Sequence, residues 1–358
     1  MKLNKLFLAA AVCFGSFSFA CCSSSDDSPS TPEKPDQPDT PTYDMNGFPK
    51  GADVSWITEM EKAGKTWKDA SGKNIELLPF LRDAGMNSIR LRVWVNPTYG
   101  WCNKADVVAK AQRASDLGFR LMIDFHYSDT WADPGNQTKP AAWAGYSFAE
   151  LKQAVTDHTK DVLSALKAKN IDVEWVQVGN ETRNGMLYPD GQADKNPKQF
   201  AELVTAGYDA VKTVYPKAKV IVHNDRGNIY ENFQWLFDIL KNNGGKWDLI
   251  GMSLYPDTYY GDDWKQMTDD CMTNIRNLKA KYNTNCIICE FGISWDDKDA
   301  AEFVSYLVQK AKANTSCEGV FYWEPECYGG WNGYTKGMFD NNGCATPTFN
   351  AFANIINE

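Results

Sequence analysis

Eight short apolar runs, each separated from the next by a longer stretch of mixed polarity, limit what this chain can become. They occupy residues 51–55, 88–94, 120–125, 174–179, 219–223, 248–254, 285–291 and 319–323. Successive runs start about 30 to 54 residues apart, enough for a strand, a crossover helix and two loops. Between them, helical periodicity shows at residues 105–117, 148–168, 197–215, 263–282 and 299–313. Strands alternating with helices build a parallel sheet, and eight such units predict an α/β fold, a single (β/α)8 TIM barrel over residues 47–358. A doubly wound sheet would satisfy the same alternation, but no glycine-rich phosphate fingerprint follows the first run. With 43% apolar and 23% charged residues the body is an ordinary globular composition. A net charge of −9 excludes nucleic acid as the main partner, because phosphate binding needs a clustered basic surface.

The N-terminus reads differently. Lys2 and Lys5 precede an apolar run from Leu6 to Val12, continued by Phe14, Phe17 and Phe19. That stretch is too short to span a bilayer but has the layout of an export signal. It ends in Ala20-Cys21-Cys22 and then Ser23-Ser24-Ser25-Asp26-Asp27. A small residue before Cys at the cleavage point resembles the bacterial lipoprotein signal, so residues 1–21 are expected to hold a signal peptide cleaved before Cys21 or Cys22, with that cysteine acylated. Ordinary cleavage with unmodified cysteines is the alternative. Residues 22–46 are expected to be a spacer, since Pro29, Pro32, Pro35, Pro38 and Pro41 recur every third position, one column of a polyproline II helix. The expected location is therefore a bacterial membrane surface, periplasmic or facing outward, with a monomer sufficient.

Seven of the ten cysteines fall in the body: Cys102, Cys271, Cys286, Cys289, Cys317, Cys327 and Cys344. An exported chain can pair them, but spacing does not give the connectivity. Cys286 and Cys289 lie on one strand and face opposite sides of it. With three histidines and no companion cysteine pairs, no metal and no cofactor are expected.

In a parallel barrel, working residues sit at the C-terminal ends of the strands. Those ends carry Asp53, Arg90 and Arg92, Asp124 and His126, Asn180 and Glu181, His223 and Asn224, Tyr255, Glu290, then Trp323 and Glu324. Glu290 closes the apolar run Cys286-Ile287-Ile288-Cys289, where a carboxylate is costly without charge partners or chemistry to explain it. Glu181 follows Trp175-Val176-Gln177-Val178-Gly179-Asn180. A structural ion pair for the first and a helix-start carboxylate for the second are the plain alternatives. Two carboxylates facing each other across a barrel mouth suit glycoside hydrolysis, one attacking the anomeric carbon and one protonating the leaving oxygen. The 13 Trp and 16 Tyr fit a carbohydrate cleft, because sugar C–H faces pack on aromatic rings. Trp94, Trp131 and Trp331 lie near loop ends where they could bind sugar, whereas Trp175 and Trp235 read as core.

Gly51-Ala52-Asp53-Val54-Ser55, Ile89-Arg90-Leu91-Arg92-Val93-Trp94-Val95-Asn96-Pro97 and Asp124-Phe125-His126-Tyr127-Ser128-Asp129 together resemble one known family. So do Trp131-Ala132-Asp133-Pro134, the Asn180-Glu181 pair with its strand, and Gly330-Trp331. The likeness is to the endo-β-1,4-galactanases of glycoside hydrolase family 53, within clan A, and spans about residues 47–356. It implies a retaining hydrolase cutting inside β-1,4-linked galactan, the side chain of pectic arabinogalactan. Glu181 would be the acid/base and Glu290 the nucleophile. Arg90 or Arg92 would keep the nucleophile ionised, Tyr255 could hydrogen-bond it, and Asn180 would hold the sugar 2-hydroxyl. Trp323 would be the aromatic platform. His126, beside Asp124, would be a sugar-binding or supporting donor or else a core histidine, and His223-Asn224 either structural or in contact with substrate. The loop at residues 292–299 is shorter than the calcium loop of some bacterial relatives, so Asp296, Asp297 and Asp299 are expected to serve a helix start instead. Two rivals remain: a clan A hydrolase of another β-linked glycan such as mannan or xylan, and a surface lipoprotein that binds glycan without cutting it.

Overall fold

The computed structural model describes residues 43–353. The expected signal peptide, Cys21, Cys22 and the proline column lie outside the described residues. Residues 43–46, assigned above to the spacer, rest on the body: the Tyr43 hydroxyl donates to Asp83 at 2.6 Å and Met45 packs against the core.

Eight parallel strands close into a barrel: β1 (Lys50–Asp53), β2 (Ser88–Val93), β3 (Arg120–Phe125), β4 (Trp175–Val178), β5 (Lys219–Asn224), β6 (Leu249–Leu254), β7 (Asn285–Phe291) and β8 (Cys317–Trp323). Each pairs with its sequence neighbours, and β8 returns to β1. All eight expected runs are strands, with ends shifted by at most two residues. Helices α1 (Ile57–Lys62), α2 (Leu77–Asp83), α3 (Lys104–Asp116), α4 (Phe148–Lys167), α5 (Pro197–Val214), α6 (Tyr230–Asn242), α7 (Trp264–Tyr282) and α8 (Ala300–Ala313) surround them. Their starts are written locally. Ser147 and Glu150 form a reciprocal capping box ahead of α4, Asn103 caps α3, and Asp263 accepts two backbone N–H groups at the start of α7.

Because the strands are covered on both faces they read as nearly continuous apolar runs. Outward residues such as Ile89, Leu91, Val93, Cys286 and Ile288 pack under the helices. Inward residues Met122, Trp175, Ile221, Leu249, Ile287, Cys289 and Phe321 fill the barrel. Cys286 and Cys289 thus face opposite sides, as expected. Gly51 lies beside Phe321 in register, and a Cβ at Gly51 would stand 2.2 Å from that ring, so only glycine leaves the ring room. Trp235 is not core: it is 41% exposed, because the buried stripe of α6 is Phe233, Leu236, Phe237 and Leu240, and position 235 falls off it. All seven body cysteines are free thiols, six of them buried.

The inward layer carries most of the axial packing. Phe321→Ala is expected to lower stability by roughly 3–5 kcal/mol, since the cavity it opens is walled by strands that cannot collapse into it. A urea unfolding midpoint matching wild type would show that the layer is dispensable.

Candidate active site

The inward positions at the C-terminal end of the barrel are polar, and one residue organises them. Arg90, on β2, has a side chain 1% exposed. Its Nη1 meets Asp53 of β1 at 2.6 Å, and its Nη2 meets Asp124 of β3 at 2.8 Å and Glu290 of β7 at 2.7 Å. Nε donates to Gln177 of β4 at 2.6 Å, and Nη2 also reaches the Asn180 side-chain oxygen at 3.0 Å. Five residues from four other strands or their ends converge on one guanidinium. Of the two arginines expected as the cation, Arg90 is the one at Glu290. Arg92, two residues on, pairs instead with Glu324 at 2.6 Å.

Glu290 therefore has a cation on Oε1 and the Tyr255 hydroxyl donating to Oε2 at 2.9 Å. Burial pushes its carboxyl above the usual range, with Arg90 working in the opposite direction. Glu181 follows Gly179 and Asn180 at the end of β4, with φ of 42°, a left-handed conformation that costs a side chain of this type about 1–3 kcal/mol. Thr182 N–H to the His223 carbonyl at 2.8 Å and Gly179 N–H to the Phe125 carbonyl at 3.0 Å hold the turn in place. Among the described residues no cation forms an ion pair with the Glu181 carboxyl; Ser253 donates to its Oε1 at 2.7 Å. Burial, then the nearby Glu290 charge, raises its pKa to about 8. The two carboxyls thus differ in kind: one is held by a guanidinium, the other holds its proton into the neutral range. That is the division of labour a paired acid and nucleophile require.

The supporting residues are held by one another and by the backbone. His126 accepts from Trp94 Nε1 at 3.1 Å and from the Ala132 N–H at 3.2 Å, both on Nδ1, so its proton is on Nε2 and points to Asp124 at 3.0 Å. The ring is an internal brace, with neither nitrogen left for a sugar. Asp124 is held below the usual carboxylate range: burial opposes this, but Arg90 and then His126 outweigh it. Asn180 donates to the Ala132 carbonyl at 2.8 Å. His223 is buried among Gln177, Asn180 and Ser253, and its neighbour Asn224 turns its side-chain oxygen to the Asp225 N–H at 3.0 Å.

Aromatic rings line the adjoining wall. Trp56, Trp131 and Trp323 meet edge to face at 5.3 to 5.9 Å between centroids, Trp94 joins at Trp131 (5.2 Å), and Tyr334 lies 4.7 Å from Trp323. The Arg92 guanidinium sits over Trp131 at 4.4 Å and over Trp56 and Trp94 at 5.2 Å. Three of the four expected tryptophans belong to this cluster. Trp331 stands apart, with the Lys65 ammonium 5.8 Å from its ring.

Sequence reasoning passed over Asp53 as a site residue, and over Gln177 and Ser253 altogether. Gln177 is the one polar side chain in β4 and Ser253 the one in β6, the same signal that marked Glu290. A register shift between Met252 and Ser253 leaves Cys289 without a partner in β6 and sets Ser253 opposite Glu290.

The model of glycosyl hydrolase family 53 matches residues 49–352. The arabinogalactan endo-β-1,4-galactanase A of Emericella nidulans is 31% identical over 306 residues, covering 79% of this chain and 85% of that protein. The Ignisphaera aggregans GH53 catalytic domain is 31% identical and superposes with a TM-score of 0.76 across 87% of this chain and 98% of its own. A fungal β-1,4-galactanase structure, 28% identical, gives 0.78 across 85% and 98%. Xylanase 10B of Thermotoga maritima, at 17% identity and 0.59, shares the fold alone.

Removing the hub should leave three buried carboxyls facing one another. Arg90→Met is expected to cost about 3–5 kcal/mol at neutral pH. Asp124, held low in the folded protein, contributes stability above its unfolded pKa and loses it as pH falls through the folded value. The deficit of the variant should therefore shrink on acidification. Urea midpoints compared at pH 7 and at about pH 3, below the ordinary Asp pKa of about 3.9, test this, and a constant gap would contradict it.

Proposed function

The chain belongs to glycosyl hydrolase family 53, and from that premise we propose that it cleaves β-1,4-galactan internally by a retaining, double-displacement mechanism with Glu290 as nucleophile and Glu181 as acid/base. The asymmetry between the two carboxyls carries this reading: Glu290 bears Arg90 and Tyr255, whereas among the described residues Glu181 bears the Ser253 hydroxyl and no cation. In the first step a Glu290 oxygen attacks the anomeric carbon while Glu181 gives its proton to the departing glycosidic oxygen. In the second, Glu181, now ionised, takes a proton from water as that water displaces Glu290. Asn180 has one amide proton left after serving Ala132, and this would hold the sugar 2-hydroxyl, a bond that strengthens as the ring gains oxocarbenium character. Trp323 and the rings around it, Trp94 and Trp131 among them, supply the apolar face for the sugar.

For the segment outside the described residues we propose export, acylation at Cys21 or Cys22, and a proline-rich spacer holding a monomeric catalytic body away from a bacterial membrane surface. Support comes from the apolar run before Ala20 and the Ser/Asp/Pro composition after Cys22.

Three measurements test these assignments. Glu290→Gln should abolish release of oligogalactosides from purified β-1,4-galactan while leaving polymer binding nearly intact; near-normal turnover would remove it as nucleophile. Cleavage of a mannan or xylan with galactan untouched would move the substrate class. The profile of kcat/KM against pH should rise as Glu290 ionises and fall as Glu181 loses its proton near pH 8, so a single-limbed curve would count against the pair. Finally, Cys21→Ala or Cys22→Ala should release the protein from membranes in one case, and retention in both would dispose of the anchor.

A further inference from the structure

Behind Glu181 lies a row of side chains that neither step of the reaction uses. Ser253 donates to Glu181 Oε1 at 2.7 Å, and its oxygen is 2.8 Å from His223 Nε2. On the far side of that ring, Nδ1 is 3.0 Å from Gln177 Nε2. The Gln177 oxygen, in turn, accepts from Arg90 Nε at 2.6 Å. Gln177, His223 and Ser253 are all buried, with exposures of 0, 0 and 1%.

The direction of every bond in this row is fixed from one end. Arg90 can only donate, so Gln177 must present its oxygen to Arg90 and its NH2 to His223. Nδ1 then accepts, and the Glu181 backbone N–H, 3.4 Å away, points at the same lone pair. Asn180 Oδ1 also stands 2.9 Å from Nδ1, but it already accepts from Arg90, and two donors outweigh it. The proton of the ring is left on Nε2, which donates to Ser253 Oγ, whose own proton has only Glu181 to go to. Burial and the Arg90 charge hold the imidazole neutral.

We propose that Gln177, His223 and Ser253 form a polarised relay that carries the orientation of Arg90 to Glu181, occupying Oε1 so that Oε2 is the oxygen that carries and returns the catalytic proton. These three are positioning residues, since none touches the reacting atoms. Among the described residues Oε2 receives no hydrogen bond. The same guanidinium contacts Glu290, so one cation polarises both carboxyls: directly for the nucleophile, through three side chains for the acid. The groups facing the Glu181 carboxyl are Arg90, Asp133, Ser253, Tyr255 and Glu290, with Arg183 on its own loop. Of these, Ser253 is the one that hydrogen-bonds it.

The proposal rests on Glu181 being the acid/base, and the experiments separate the two claims. The chain has three histidines, so the 15N ring signals of the labelled full-length protein can be assigned one by one. His223 is expected to show a protonated Nε2 and a bare Nδ1; a protonated Nδ1 would overturn the relay whatever the kinetics. Ser253→Ala removes the bond that favours ionised Glu181. The alkaline limb of kcat/KM should therefore move to higher pH, and kcat on galactan should fall roughly tenfold, the worth of one charge-assisted hydrogen bond. Ser253→Thr, which keeps the hydroxyl, should restore both. An unmoved limb in a folded Ser253→Ala protein rules the relay out. Glu181→Ala supplies the control: it should impair galactan far more than an activated aryl galactoside. Equal losses on the two substrates would sink the acid/base reading itself, whereas the expected difference alongside an unshifted Ser253→Ala profile would sink the relay alone.

Discussion

A single guanidinium, buried at the end of β2 and shared by Asp53, Asp124 and Glu290, is the constraint on which the arrangement of the barrel mouth depends. One positive charge cannot fully neutralise three negative ones, and taking any of them from water costs several kcal/mol before the contact is made. Nearly every lone pair and N–H around Arg90 is consequently spoken for, by Gln177 and Asn180 as well as by the carboxylates. The partners come from β1, β3, β7 and the end of β4, so the cluster ties the strands together where the barrel is least filled by apolar side chains. It also leaves Glu290 short of full compensation, which suits the role of nucleophile proposed for it.

Arg92 shows what the neighbouring position is for. It points the same way as Arg90, two residues along the strand, but its partners are Glu324 and the faces of Trp56, Trp94 and Trp131. A guanidinium stacked among indoles stiffens an aromatic wall that would otherwise be free to repack. The wall and the carboxyl pair are thus anchored by two arginines of one strand, which keeps the aromatic rings and the two carboxyls in a fixed relation.

Much of this was legible in the sequence because a parallel barrel buries its strands on both faces and so exposes them as apolar runs. The placement of Glu290 and Glu181 followed from strand ends alone. What one dimension could not show was partner choice: Arg90 and Arg92 share a face, and only the closure of β1, β3 and β7 around the first separates them. Ser253 was hidden for a related reason, since its opposition to Glu290 depends on a register shift that no local pattern records. His126 was open between two roles until the Trp94 and Ala132 donors fixed its tautomer. Trp235 was misplaced because aromatic character suggests burial, whereas its phase on α6 puts it outside.

The filled interior beneath the site bears on how a polymer is met. Trp175, Met122 and Phe321, with the ring of Phe321 laid over Gly51, stop the barrel axis a short way below Arg90. No glycan can be threaded down it end first, as in a tunnel. A long chain is met at the rim, on the side chains and loops at the C-terminal ends of the strands. The depth and the ends of the binding site are therefore set by the loops above the rim and not by the barrel itself.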